Sequence, residues 1–158
     1  MEEPTPTSGP ARAFELAVGA LGRKERTEAE LREHLENRGV AGDDAEDALA
    51  RLIDMGELDD ARFAQRFADD KRELRGWGPE RIREALVQRG VDSVTATAAA
   101  AVEDPAEQAS RAAGLLALRP DPVVDESSRG RALAYLARRG YDYDVAYEAV
   151  RMAERRAA

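Results

Sequence analysis

A chain of 158 residues with 43% hydrophobic and 35% charged residues is too apolar for wholesale disorder and too polar for a membrane-embedded protein. Without cysteine it holds no disulfide framework, thiolate metal site or thiol nucleophile, which points to a cytoplasmic address. The net charge of −8 argues against nucleic acid as the main partner, because Lys and Arg neutralising phosphates supply most of that affinity.

The first stretch, residues 1–10, is acidic and proline-rich, with neither a basic stretch nor an apolar run, so it reads as a disordered tail rather than a secretory signal or transit peptide. Beyond it, three segments share one register: Leu35-Glu36-Asn37-Arg38-Gly39-Val40, Leu86-Val87-Gln88-Arg89-Gly90-Val91 and Leu136-Ala137-Arg138-Arg139-Gly140-Tyr141. Each has an apolar or small residue four positions before its Leu (Leu31, Ile82, Ala132), which places an apolar stripe on one helix face. The Gly then stands where a helix stops in left-handed backbone, and the next apolar residue folds back on the last turn. Recurrence at this period means a repeat architecture.

Helix starts are written in the same units. Thr27 with Glu30, Asp43 with Glu46, and Asp104 with Glu107 form capping-box patterns, the last with Pro105 at the first helical position. Gly78-Pro79 opens another helix, and Asp92 or Ser93 caps the next. The expected helices are 11–24, 28–38 and 44–55; 60–74, 79–89 and 94–102; and 105–118, 126–139 and 144–155. No segment sustains strand alternation. The fold class is therefore all-α: three three-helix units in tandem, over 11–58, 59–103 and 104–158. Two prolines in Arg119-Pro120-Asp121-Pro122 break the third unit at a joint over 119–125. The middle unit has the best anchors: Phe63, Ala64, Phe67, Ala68 and Leu74 along one helix, Trp77 in the turn, and Ile82 and Leu86 on the next.

Charge is uneven along the array. Residues 1–58 carry 7 basic and 14 acidic side chains, 59–102 carry 8 of each, and 103–158 carry 9 and 10. Only Lys24 and Lys71 are lysine, and Arg forms the better fork for carboxylates, phosphates and interfaces, although a codon bias explains the preference equally well.

The middle block runs Gly56-Glu57-Leu58-Asp59-Asp60-Ala61-Arg62-Phe63-Ala64, then Arg72, then Gly76-Trp77-Gly78-Pro79-Glu80-Arg81-Ile82-Arg83, Leu86 and Arg89-Gly90-Val91. In this order and spacing it resembles the RecX family of RecA recombinase regulators. Arg26-Thr27-Glu28-Ala29-Glu30-Leu31 is similar to the family's first-unit helix entry and Leu136 to Tyr141 to its last unit, so the resemblance spans about residues 14–152. It implies tandem three-helix units in an elongated, curved molecule that lies in the groove of a RecA filament on single-stranded DNA. There the protein impedes strand exchange and ATP turnover, modulating homologous recombination and the SOS response, without a cofactor and as a monomer. It also marks Leu58, Asp59, Asp60, Arg62, Phe63, Gly76, Trp77, Gly78, Ile82, Leu86 and Gly90 as structural signature residues.

The chemistry-bearing residues have bland readings as well. Asp59-Asp60 suggests a metal or acid pair, but Asp59 is a natural N-cap and Asp60 a first-turn acid that complements the helix dipole. His34, the only histidine, has no second His one turn away to complete a zinc pair and defaults to a solvated helix face. Gly76-Trp77-Gly78 could cradle a phosphate, yet Pro79 removes an amide the anion would need, so a tight turn lidded by Trp77 is the better reading. The run Arg72, Arg75, Arg81, Arg83 and Arg89, with Lys71, and likewise Arg138 and Arg139, is either a solvated face or a set of partner contacts at the rim of a concave surface. No nucleophile is matched to a base, so the chain is expected not to be an enzyme. The alternative is a helix-turn-helix-like nucleic-acid module, since each Gly-ended helix is followed by another. Direct DNA contact is otherwise expected to be weak or indirect, and no membrane partner is expected.

Overall fold

Nine α-helices and no strand make up the described residues, 9–158, of the computed structural model. They are α1 (Pro10–Arg23), α2 (Glu28–Asn37), α3 (Gly42–Asp54), α4 (Asp60–Arg75), α5 (Pro79–Gln88), α6 (Ser93–Ala100), α7 (Pro105–Ala117), α8 (Glu126–Arg139) and α9 (Tyr143–Ala157). The all-α expectation holds, and each end lies within two residues of its expected position. Of the expected tail, residues 1–8 lie outside the described residues, and Pro10 opens α1. No helix among the described residues is long and apolar enough to cross a membrane.

The helix ends carry the chemistry that the spacing implied. Thr27 and Glu30 form the full reciprocal capping box. Asp104 accepts from the Glu107 amide, with Pro105 at the first position. Asp92 accepts from the Thr95 amide, and Asp59 from that of Arg62. Asp125 and Asp142 cap α8 and α9 in the same manner. The Asp43–Glu46 box does not form. There α3 starts earlier, at Gly42, so both acids lie inside the helix, where Asp43 complements the dipole and Glu46 pairs with Arg32. Gly39, Gly90 and Gly140 all take positive φ at their helix stops, as the repeat register requires.

The chain divides into two compact units: residues through Phe63 together with Arg89–Val91, and Ala64–Gln88 together with Asp92–Ala158. In the first, the fully buried residues of α1 are alanines (Ala13, Ala17, Ala20), with Phe14, Leu16 and Leu21 packed at the edge, so the helix lies against α2 and α3. Leu31 and Leu35 of α2 and Leu49 and Leu52 of α3 fill the space, and Leu58 closes it. Leu31 and Leu35 are the i, i+4 stripe that the sequence showed, and burying a large apolar side chain contributes about 1.5–3 kcal/mol. The second unit buries Ala64, Ala68, Ile82, Leu86 and the alanines of α6. It also holds a larger cluster in which Ala112, Ala113 and Leu116 of α7 meet Leu136 of α8 and Val145, Ala149 and Val150 of α9. The loop over 119–125 is tied down: Val123 is buried in that cluster, and Asp121 accepts two bonds from Arg131.

Leu74 is not an anchor; it is 78% exposed. The buried stripe of α4 runs Ala64, Ala68, Arg72, and a residue two positions past Arg72 faces the other way.

Candidate functional site

Seven arginines are candidates for partner contact, and the structure sorts them. Arg72 is only 6% exposed. Its guanidinium donates to the Ala99 and Ala100 carbonyls at the end of α6 and pairs with Asp69 and Glu103, so it holds the fold together from inside. A cation on the last carbonyls of a helix satisfies both the orphan acceptors and the dipole. Arg89 belongs to the first unit, where it forks onto both Glu30 oxygens at 2.9 and 3.1 Å and lies over the Phe63 ring. Arg83 pairs along its own helix with Glu80.

The remaining four come together in the second unit. Arg75 at the end of α4, Arg81 in the first turn of α5, and Arg138 and Arg139 in the last turn of α8 line one pocket of about 630 Å³ with Lys71, Trp77 and Tyr135. Among the described residues, no carboxylate lines it.

Local backbone bonding builds this convergence. The Gly78 amide donates to the Arg139 carbonyl at 2.7 Å and the Glu80 amide to the Gly140 carbonyl at 3.0 Å, so the start of α5 is capped by the end of α8. The approach is so close that a Cβ on Gly78 would stand 2.6 Å from the Gly140 carbonyl carbon. That bonding also removes the phosphate-loop reading of Gly76-Trp77-Gly78, because the Trp77 and Gly78 amides already serve carbonyls. Arg139 Nη1 donates to the Arg75 carbonyl, and Arg81 Nη1 to the Arg138 carbonyl at 3.4 Å. Beneath the turn, Tyr141 donates to the Gly76 carbonyl at 3.4 Å, and burial pushes its hydroxyl up to about 12, so it stays protonated as a donor.

Three of the five cations are held by rings rather than by acids. Lys71 and Arg81 lie over Trp77 at 4.9 and 4.1 Å, Arg139 lies over Tyr135 at 5.1 Å, and Trp77 meets Phe67 edge to face. None of the five cations has a carboxylate within 4.0 Å among the described residues. Their charge is therefore unneutralised, inside a protein that is acidic overall. Trp77 forms a wall of the pocket. Tyr135 is not marked by the sequence reading, although it stands four residues before Arg139, the spacing that lets two side chains on a helix meet.

Several of the signature residues pack or bond within the fold. Leu58 is buried, and Asp59 caps α4. Asp60 accepts from the Glu28 amide at the start of α2 at 2.9 Å, a role beyond its own helix. Arg62 donates to the Gly56 carbonyl, Phe63 is buried, and Ile82 and Leu86 carry the α5 stripe. Thr27 donates to the Arg89 carbonyl at 2.7 Å, and a Cβ on Gly90 would meet that of Ala29 at 2.3 Å, so the glycine stop here repeats the close approach seen at Gly140. His34 is half-buried: its Nε2 is buried with no partner among the described residues, and burial, with Arg26, Arg38, Arg23 and Lys24 nearby, lowers its pKa.

Residues 13–52 match the family model of the first three-helix domain of RecX, and residues 59–99 that of the second. The chain belongs to the RecX family. Regulatory protein RecX of Deinococcus radiodurans is 37% identical over 136 residues, which are 85% of this chain and 65% of that protein, so the match spans just under two thirds of that relative. RecX of Thermobifida fusca is 35% identical across 89% of this chain and 78% of its own, and RecX of Mycobacterium avium 34% identical across 93% and 89%. The crystal structure of RecX from Lactobacillus salivarius superposes with a TM-score of 0.83 at 20% identity, covering 91% of this chain and 96% of that one. A second RecX crystal structure gives 0.75 at 23% identity over 90% and 71%. These two likenesses show the shared helical fold.

Proposed function

We propose that this RecX-family chain binds the RecA filament on single-stranded DNA and slows its ATP turnover and strand exchange, modulating recombination and the SOS response in the cytoplasm. It acts as a monomer, by docking rather than by catalysis. The observation that carries the site assignment is the pocket at which α4, α5 and α8 bring five unneutralised cations and two aromatic rings together. Arginine and aromatic residues are the types that anchor interfaces, and truncating one such anchor typically costs about 2 kcal/mol or more of binding, roughly thirtyfold in affinity.

A second reading, a nucleic-acid-binding module, is favoured by the same unneutralised charge, which suits phosphates. Titration against bare single-stranded DNA and against RecA-coated DNA at two salt concentrations separates the two. A clear preference for coated DNA supports filament docking. A steep salt slope on bare DNA with no gain on coating supports the nucleic-acid module instead.

A further inference from the structure

We propose that the pocket between α4, α5 and α8 is also a binding site for a free nucleoside polyphosphate, with the phosphate chain on Arg75, Arg138 and Lys71 and the base stacked on the Trp77 and Tyr135 side of the wall. The proposal deepens the reading of this site as the chain's docking surface, because a bound polyphosphate would neutralise the same cations and compete with filament docking.

Three observations carry it. A volume of about 630 Å³ falls within the range of small-molecule pockets. The charge there is concentrated and unspent: five cations, no lining carboxylate among the described residues, and guanidinium groups laid on rings instead of acids. Stacking surface adjoins the cations, and a base stacks on an aromatic ring or on a guanidinium plane, while phosphates take bidentate bonds from Arg.

The choice of a free nucleotide over a strand follows from where charge is missing. Elsewhere in this unit Arg72, Arg83, Arg111, Arg119, Arg129 and Arg131 each lie within 4.0 Å of a carboxylate, while Arg151 and Arg156, both on α9, line no part of this pocket. A strand with one charge per nucleotide is tracked by an extended groove of free cations, whereas a triphosphate packs several charges into one place. The structure supplies a compact cluster and not a track.

Trp77 is the only tryptophan, so its fluorescence reports on this pocket directly. The full chain is titrated, without RecA, with ATP, GTP, inorganic tripolyphosphate, adenosine and a short oligothymidylate, following Trp77 emission and calorimetric heat. The expected result is saturable one-to-one binding of ATP and GTP, weaker binding of tripolyphosphate and none of adenosine. Arg75→Ala and Arg138→Ala should each lower nucleotide affinity at least tenfold with the melting temperature unchanged. No saturable nucleotide binding overturns the proposal, as does undiminished binding by both folded variants. An oligothymidylate that binds at least as tightly as ATP and displaces it also overturns it, by assigning the pocket to a strand. Because RecA is absent, failure here leaves filament docking standing, and a chain that ignores filaments is still scored for nucleotides.

Discussion

Replacing Gly90 by Ala tests whether the glycine stops are conformational signals alone or also contact points between helices. Gly90 has φ +89°, so any side chain costs about 1–2 kcal/mol for left-handed backbone. The new methyl would also stand 2.3 Å from the Ala29 Cβ, which cannot retreat freely because the Thr27–Glu30 capping box fixes that first turn of α2. Overpacking of this kind adds about 1–3 kcal/mol. Gly39 is the internal control: at φ +76° a methyl there would meet no described atom within 4 Å, so Gly39→Ala carries the backbone cost alone. Urea unfolding followed by far-ultraviolet circular dichroism should find Gly90→Ala at least about 1 kcal/mol less stable than Gly39→Ala. Removing the opposing methyl should then rescue it: Ala29→Gly costs about 1 kcal/mol alone but less than nothing when added to Gly90→Ala, a coupling of about 1 kcal/mol or more. Equal costs for the two glycine variants, together with an additive double variant, would refute the contact.

Arg72→Met should destabilise by about 3 kcal/mol or more, because it strips the Ala99 and Ala100 carbonyls of their donor and leaves the half-buried Glu103 to Arg111 alone; urea unfolding measures it, and a loss under about 1 kcal/mol would make the buried arginine dispensable. For His34, burial and four nearby cations favour the neutral ring, so protonation favours unfolding, and stability declines as pH falls below its ordinary 6.5. His34→Gln should flatten the stability profile between about pH 7 and 5, and parallel profiles for the two proteins would contradict the assignment. Glu30 acts in a lower window. Burial alone would raise its pKa, but the Thr27 amide and Arg89 outweigh that and lower it below 4.5, so its contribution is complete above 4.5 and is lost as pH falls further.

Much of the fold could be read from local chemistry. Caps at Thr27, Asp92 and Asp104, prolines at first helical positions, and glycine stops at a fixed period each act within a few residues, so the sequence displays them directly. Leu74 and Arg72 mark where that legibility ended. Hydrophobicity ranks Leu above Arg for burial, yet the α4 stripe turns Arg72 inward, where carbonyls at the end of α6 and the acid Glu103 await it, and no window along α4 contains those partners. The site behaved likewise. Arg81, Arg138 and Arg139 were visible as candidates, but their convergence depends on the Gly78–Arg139 and Glu80–Gly140 backbone bonds, between residues about sixty positions apart. Tyr135 escaped notice because its significance lies in what stands across from α8.

The central claim is tested most directly by RecA ATP turnover on single-stranded DNA, measured with the wild-type chain, with Arg75→Glu/Arg138→Glu and with Arg83→Glu. Arg75 and Arg138 are exposed and lack carboxylate partners among the described residues, so charge reversal there should leave helicity and melting nearly unchanged, surface changes of this kind seldom exceeding about 0.5 kcal/mol. The wild-type chain and Arg83→Glu should slow turnover alike, while the folded double variant should not slow it. Inhibition by the double variant equal to that of the wild type would contradict the assignment of the pocket, and a wild-type chain without effect on turnover would contradict the function itself.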